Sequence, residues 1–79
     1  MGNMEARIRE IIVRILGVSE TDISGDTAIG DLPEWDSLRH IQIISAVEKE
    51  FGFRFTPDVI MDLEDVSDIA AAAKDRAGK

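Results

Sequence analysis

Apolar positions fall into four runs separated by turn-forming residues. Between Met4 and Leu16, Ile8, Ile11, Ile12 and Ile15 recur at helical spacing while Arg7, Arg9, Glu10 and Arg14 fill the opposite face. That period predicts an amphipathic first helix stopped by Gly17. A wider arc of Leu38, Ile41, Ile43, Ile44, Val47 and Phe51 predicts a second helix over residues 37–51, closed by Gly52. An arc so broad packs against more than one neighbour, which makes this helix the central one. Thr56-Pro57-Asp58 reads as a cap followed by proline in the first turn, opening a short third helix that ends at Asp62 or Leu63. The last helix starts near Asp65 or Ser67 and runs through Val66, Ile69, Ala70 and Ala73 to about Arg76, its alanines permitting close approach. Gly78 and Lys79 are expected to fray.

The connections are as informative as the helices. Residues 18–36 hold Gly25, Gly30 and Pro33 among scattered Val18, Ile23, Ile29 and Leu32, the pattern of a long structured loop, with at most a short turn, pinned across a bundle by its apolar side chains. Phe53-Arg54-Phe55 alternates like a strand but has no partner, so it reads as an extended linker. The expected fold is all-α: a small four-helix bundle with three longer helices, a short helix III and a long loop between helices I and II. A single domain spans residues 1–79.

The chain has 79 residues, no cysteine and a net charge of −7. One core of this size sits near the lower limit for folding without metals or disulfides, which excludes a large catalytic cleft. No apolar run approaches the roughly 20 residues of a membrane span and no leader opens the chain, so a soluble, cytoplasmic monomer is expected. Charge is uneven. Glu20, Asp22, Asp26, Asp31, Glu34 and Asp36 lie in a stretch without a base, as do Asp58, Asp62, Glu64, Asp65 and Asp68. Such a surface repels nucleic acid and steers toward basic partners.

Candidate chemistry centres on Ser37. Asp36 suits an N-cap, and Ser37 would then open the second helix with its hydroxyl facing water, where unpaired amides and the helix dipole favour an attached phosphate. His40, the only histidine, lies three residues on, yet no G-x-S-x-G elbow and no orienting third group accompany it, so a hydrolase is not expected and His40 reads as a surface residue. A calcium loop starting at Asp22 fails, because Thr27 stands where its glycine belongs and Pro33 where its glutamate belongs. No metal site is expected. Trp35 has two readings, packing under the second helix or serving as an aromatic anchor for a partner. Phe51, Phe53 and Phe55 read as a core seal.

At Asp36-Ser37-Leu38, followed by Glu48-Lys49-Glu50-Phe51-Gly52-Phe53, the chain resembles the acyl carrier proteins. The resemblance covers nearly the whole chain and implies a carrier, not an enzyme. It further implies 4'-phosphopantetheine donated by coenzyme A and attached to Ser37, flanked by Asp36 and Leu38. Partners would be a phosphopantetheinyl transferase and acyl-loading and acyl-accepting enzymes with basic docking patches. Family members also admit acyl chains between the helices; Ile43, Ile44, Val47, Phe51 and Ile60 are candidates to line that interior, with ordinary packing the default. Members serving fatty-acid synthesis usually place acids just after the serine, whereas this chain has Arg39 and Gln42. That departure, with Trp35, makes these three residues candidates for partner recognition and points to a specialised lipid, polyketide or surface-polymer pathway. A peptidyl or aminoacyl carrier and, from another class, an unmodified acidic helical interaction module are the alternatives.

Overall fold

Local stop and start signals act where the sequence puts them. The structure, a computed structural model, describes residues 4–77; the expected fraying of Gly78 and Lys79 lies outside the described residues. Helix α1 spans Met4–Leu16 and buries Ile8, Ile11, Ile12 and Leu16. Gly17 ends it at φ 72°, a left-handed conformation that costs a residue with a Cβ, and its amide donates to the Val13 carbonyl at 2.8 Å. Helix α2 spans Ser37–Phe51, with Asp36 as N-cap and Gly52 at φ 74° closing it. Helix α3 is short, Pro57–Asp62, with Thr56 as cap and Pro57 in its first turn. Helix α4 spans Val66–Ala77.

The loop between α1 and α2 is ordered by its own hydrogen bonds. A single 3-10 turn at Glu20–Asp22 is capped by Ser19, whose amide in turn donates to the Asp22 carboxylate at 3.0 Å. Ile23 is buried behind it, and the Arg9 guanidinium donates to the Ile23 carbonyl at 3.1 Å. Farther along, the loop pairs with the approach to α4: Ile29 N–H donates to Glu64 O at 2.8 Å, Val66 N–H to Thr27 O at 3.1 Å and Ser67 N–H to Gly25 O at 3.0 Å. Ala28 and Asp65 thus form an isolated antiparallel bridge. This pairing anchors both ends of the loop's second half.

The core sits where α1 meets α2 and α4. Ile8, Ile12, Trp35, Ile43, Val47, Val66 and Ile69 are fully buried, and each side chain of this kind contributes about 1.5 to 3 kcal/mol by leaving water. Ala70 and Ala73 are buried on α4, as the alanine-rich face requires for close approach to α1. Phe55 is buried below α2, while Phe53 stacks on Phe51 at 6.2 Å and meets Phe55 edge-on at 5.0 Å. Glu48 holds that linker in place: its carboxylate accepts the Phe55 amide at 2.8 Å, and its backbone carbonyl accepts the amides of Gly52 and Phe53. Outside the core, Arg7 pairs with Glu50 and lies over the Phe51 ring; an exposed pair of this kind contributes only about 0 to 1 kcal/mol.

One sequence expectation is corrected here. The apolar arc of α2 splits in two, for Ile43, Ile44 and Val47 face the core whereas Leu38 is 63% exposed and Ile41 is 60% exposed. The physical reason is that α1 and α4 take only the inner face of α2 and α3 leaves the outer one open. The six residues of α3, none of them fully buried, do not cover Leu38 and Ile41.

Candidate functional site

The segment Leu32-Pro33-Glu34-Trp35-Asp36 turns the chain into α2. Gly30, at φ 92°, donates its amide to the Trp35 carbonyl at 2.9 Å, and the Trp35 amide donates to Leu32 O at 3.0 Å, closing the turn. Asp36 follows with an extended backbone. Its carboxylate accepts the Arg39 amide at 2.9 Å and its carbonyl accepts the His40 amide at 2.9 Å. Those bonds leave the amides of Ser37 and Leu38 without intrahelical acceptors at the positive end of the helix dipole. Ser37 itself is exposed.

Trp35 is entirely buried, so the packing role holds and its side chain presents no surface to a partner. The reason lies in its indole, whose Nε1–H donates to His40 Nδ1 at 2.9 Å, the two ring planes lying within 29° of each other and their centroids 5.9 Å apart. His40 is corrected with it. Expected at the surface, it is only 9% exposed, and its Nε2 lies 2.8 Å from the Leu63 carbonyl oxygen. An indole N–H can only donate, so Nδ1 accepts, and the ring proton resides on Nε2 and is given to Leu63. Both nitrogens are therefore engaged by protein. The histidine has no lone pair left to activate Ser37, which removes the nucleophile and base pairing on structural grounds.

Arg39 is half-buried, and its guanidinium donates to the Ile15 carbonyl at 3.0 Å, satisfying an orphan carbonyl in the last turn of α1. Its charge is thus tied to the bundle rather than extended from it. Gln42 is exposed. Leu38 and Ile41 stand in the open on the first turns of α2, and Met61 of α3 is 82% exposed. The His40–Leu63 bond brings the end of α3 to the start of α2, and acids surround this region: Glu34, Asp36, Asp58, Asp62 and Glu64 are all exposed. Among the described residues no group of His, Cys, Asp or Glu side chains is arranged to hold a metal ion.

The roles of His40 and Arg39 inside the bundle were missed by reading motifs alone. A signal existed for the first of them. A tryptophan expected to pack must still find an acceptor for its N–H, and the only histidine stands five residues away. Nothing comparable pointed Arg39 toward Ile15.

A family model described as the phosphopantetheine attachment site matches residues 6–73. The chain belongs to this family. Among solved structures, the holo acyl carrier protein of Nitrosomonas europaea superposes with a TM-score of 0.78 at 25% identity, each chain covered over 100% of its length. The chain is a carrier protein of the acyl carrier type, not an enzyme, and 4'-phosphopantetheine is its prosthetic group. A carrier of this kind works with a phosphopantetheinyl transferase and with acyl-handling enzymes. No helix among the described residues is long and apolar enough to cross a membrane.

Proposed function

We propose that Ser37 carries the 4'-phosphopantetheine group and that the chain, as one cytoplasmic domain, delivers acyl groups in a specialised lipid, polyketide or surface-polymer pathway. The observation that carries this reading is an exposed serine opening a long helix whose cap, Asp36, is already engaged. A phosphodiester fits there. The free amides of Ser37 and Leu38 and the helix dipole, about 0.3 to 1 kcal/mol at an exposed site, favour its negative charge.

The chain's own contribution is presentation. Asp36 fixes the first turn so that the Ser37 hydroxyl points to solvent, and Leu38 beside it offers an apolar step against which a partner enzyme can seat. In the modification, the Ser37 oxygen bonds to phosphorus as the pyrophosphate of coenzyme A breaks, and adenosine 3',5'-bisphosphate leaves. The base belongs to the transferase, because His40 is committed at both nitrogens. When bound, the arm supplies a terminal thiol that keeps an acyl group activated as a thioester, and tethering raises that group's local concentration at a docked enzyme. Docking falls to the exposed Leu38, Ile41 and Met61 within their acidic surround, which suits an apolar patch rimmed by basic residues. Gln42, in the open beside them, and Arg39, drawn back to Ile15, reduce the negative charge that enzymes of fatty-acid synthesis would read, and so narrow the choice of partner.

The test is to incubate the chain with coenzyme A and a broad-specificity transferase and to weigh the product. A mass gain of one phosphopantetheine that vanishes in Ser37→Ala is expected. An unchanged mass, or a gain that survives the substitution, overturns the assignment.

A further inference from the structure

His40 is an expensive way to fill a core. A leucine or phenylalanine of similar volume needs no hydrogen bonds, whereas a buried imidazole costs free energy unless its nitrogens are paired. Here both are paired, and to groups that would otherwise be orphans: the indole N–H of a fully buried tryptophan and the carbonyl of Leu63, itself 5% exposed. These two bonds also close a circuit. Leu63 leads directly into Glu64, whose carbonyl accepts the amide of Ile29 at 2.8 Å, and the next residue, Gly30, donates to Trp35 O at 2.9 Å. Trp35 is therefore held from two sides, by its carbonyl through the loop and by its indole through α2. Only Asp36 separates it from Ser37.

We propose that His40 is a positioning residue for the modification of Ser37, acting through Trp35. The inference rests on the reading of Ser37 as the attachment residue. With the Nδ1 bond in place, the indole cannot rotate, the Leu32–Asp36 turn has one shape, and Asp36 arrives at α2 with the extended backbone that a cap requires. With that bond cut, the turn keeps its backbone hydrogen bonds but samples other orientations, and a transferase must select the competent one. Selection of this kind weakens apparent binding in proportion to the competent fraction and leaves the chemical step alone. The Nε2 bond does a different job: it ties the junction of α3 and α4 to α2 and should matter to stability more than to Ser37.

The two bonds can be cut separately. An asparagine oxygen falls near the position of Nδ1 and can accept from Trp35, so His40→Asn keeps that link and loses Leu63. A glutamine amide nitrogen reaches the position of Nε2, so His40→Gln keeps Leu63 and orphans the indole. Trp35→Phe removes the donor and leaves a small cavity where the larger indole stood. All three are compared with the full native chain by transferase kinetics and by hydrogen exchange of the Trp35 indole proton, the only one in the protein, with thermal melts to verify folding. His40→Gln and Trp35→Phe should raise KM for the carrier about threefold to tenfold, the weight of one net hydrogen bond, with kcat unchanged. His40→Asn should stay within about twofold of the native KM, and its indole proton should remain protected as in the native chain while His40→Gln loses protection. Equal KM values across the series, or a His40→Asn KM as high as that of His40→Gln, would overturn the proposal. If the native chain gains no mass at all, it is the assignment of Ser37 that fails; the indole link is then judged by exchange, and equally fast exchange in the native chain and His40→Gln refutes it.

Discussion

Asp36 combines an acceptor and a charge at the start of α2, and two substitutions separate them. Its carboxylate accepts the Arg39 amide at 2.9 Å. Asp36→Ala removes that acceptor and the charge together. A cap of this type contributes about 0.5 to 2 kcal/mol, and because the site is exposed, water can reach the released amide, which places the loss near the middle of that range, at about 1 kcal/mol. Asp36→Asn keeps an oxygen in the same position and gives up only the interaction of a negative charge with the positive end of the helix, about 0.3 to 1 kcal/mol at low ionic strength. In a domain of this length 1 kcal/mol lowers Tm by roughly 4 to 8 °C. The assay is thermal unfolding by circular dichroism at about 0.02 M and 1 M salt. Screening should shrink the gap between the native chain and Asp36→Asn at high salt and leave the gap between the asparagine and alanine variants intact. If Asp36→Asn loses as much as Asp36→Ala at both salt concentrations, charge rather than capping holds the turn. If Asp36→Ala loses less than about 0.3 kcal/mol, the hydrogen bond to Arg39 contributes nothing and the account of how Ser37 is presented is wrong.

Three further outcomes follow from contacts elsewhere in the bundle. Glu48→Ala should cost about 1.5 to 3 kcal/mol in urea unfolding, the range for a hydrogen bond to a charged group, because the Phe55 amide loses its acceptor; Glu48→Gln should lose less than half as much, and equal losses would show that the carboxylate is not the fastener. Gly52→Ala should cost about 1 to 2 kcal/mol through backbone conformation alone, since an added Cβ meets nothing within 4 Å, and Gly52→Asn should recover part of it; identical melting of the alanine variant and the native chain would refute the left-handed cap. Arg39→Met removes the bond to Ile15 O without adding a charge at the start of α2, so it should destabilise by about 0.5 to 1.5 kcal/mol, while Arg39→Lys loses less. A Tm unchanged by Arg39→Met would mean that the guanidinium is free in solution.

What could be read from the chain divides along a physical line. The stop of α1, both ends of α2 and the start of α3 were legible because each is written in adjacent residues: Gly17 and Gly52 adopt the left-handed turn, Asp36 and Thr56 cap, and Pro57 sits where a missing amide is harmless. The place of Ser37 at the opening of α2 was legible for the same reason. The covering of each face was not. Periodicity places Leu38 and Ile41 on the apolar arc of α2, but whether an arc is roofed depends on which face another helix covers, and α3 leaves them open. The loop's pairing with residues 64–67 runs through backbone amides and carbonyls that every residue possesses, so sequence marks it at one point only: Gly25, where a Cβ would stand 3.0 Å from Ser67 Oγ.

The Trp35–His40 pair lies between these cases, and it shows how a motif and a fold become one problem. Burying an indole obliges the chain to find an acceptor, and burying that acceptor obliges it to satisfy a second ring nitrogen, which reaches Leu63 at the end of α3. Each obligation is local chemistry, yet following them leads from the residue two before Ser37 to the junction that anchors its loop. On the reading proposed for Ser37, one exposed serine thereby depends on buried groups. Substitutions that cut the Trp35–His40 bond, as His40→Gln does, should consequently be felt at Ser37 before they are felt in helix content, whereas truncations at Ile12 or Ile69 should do the reverse.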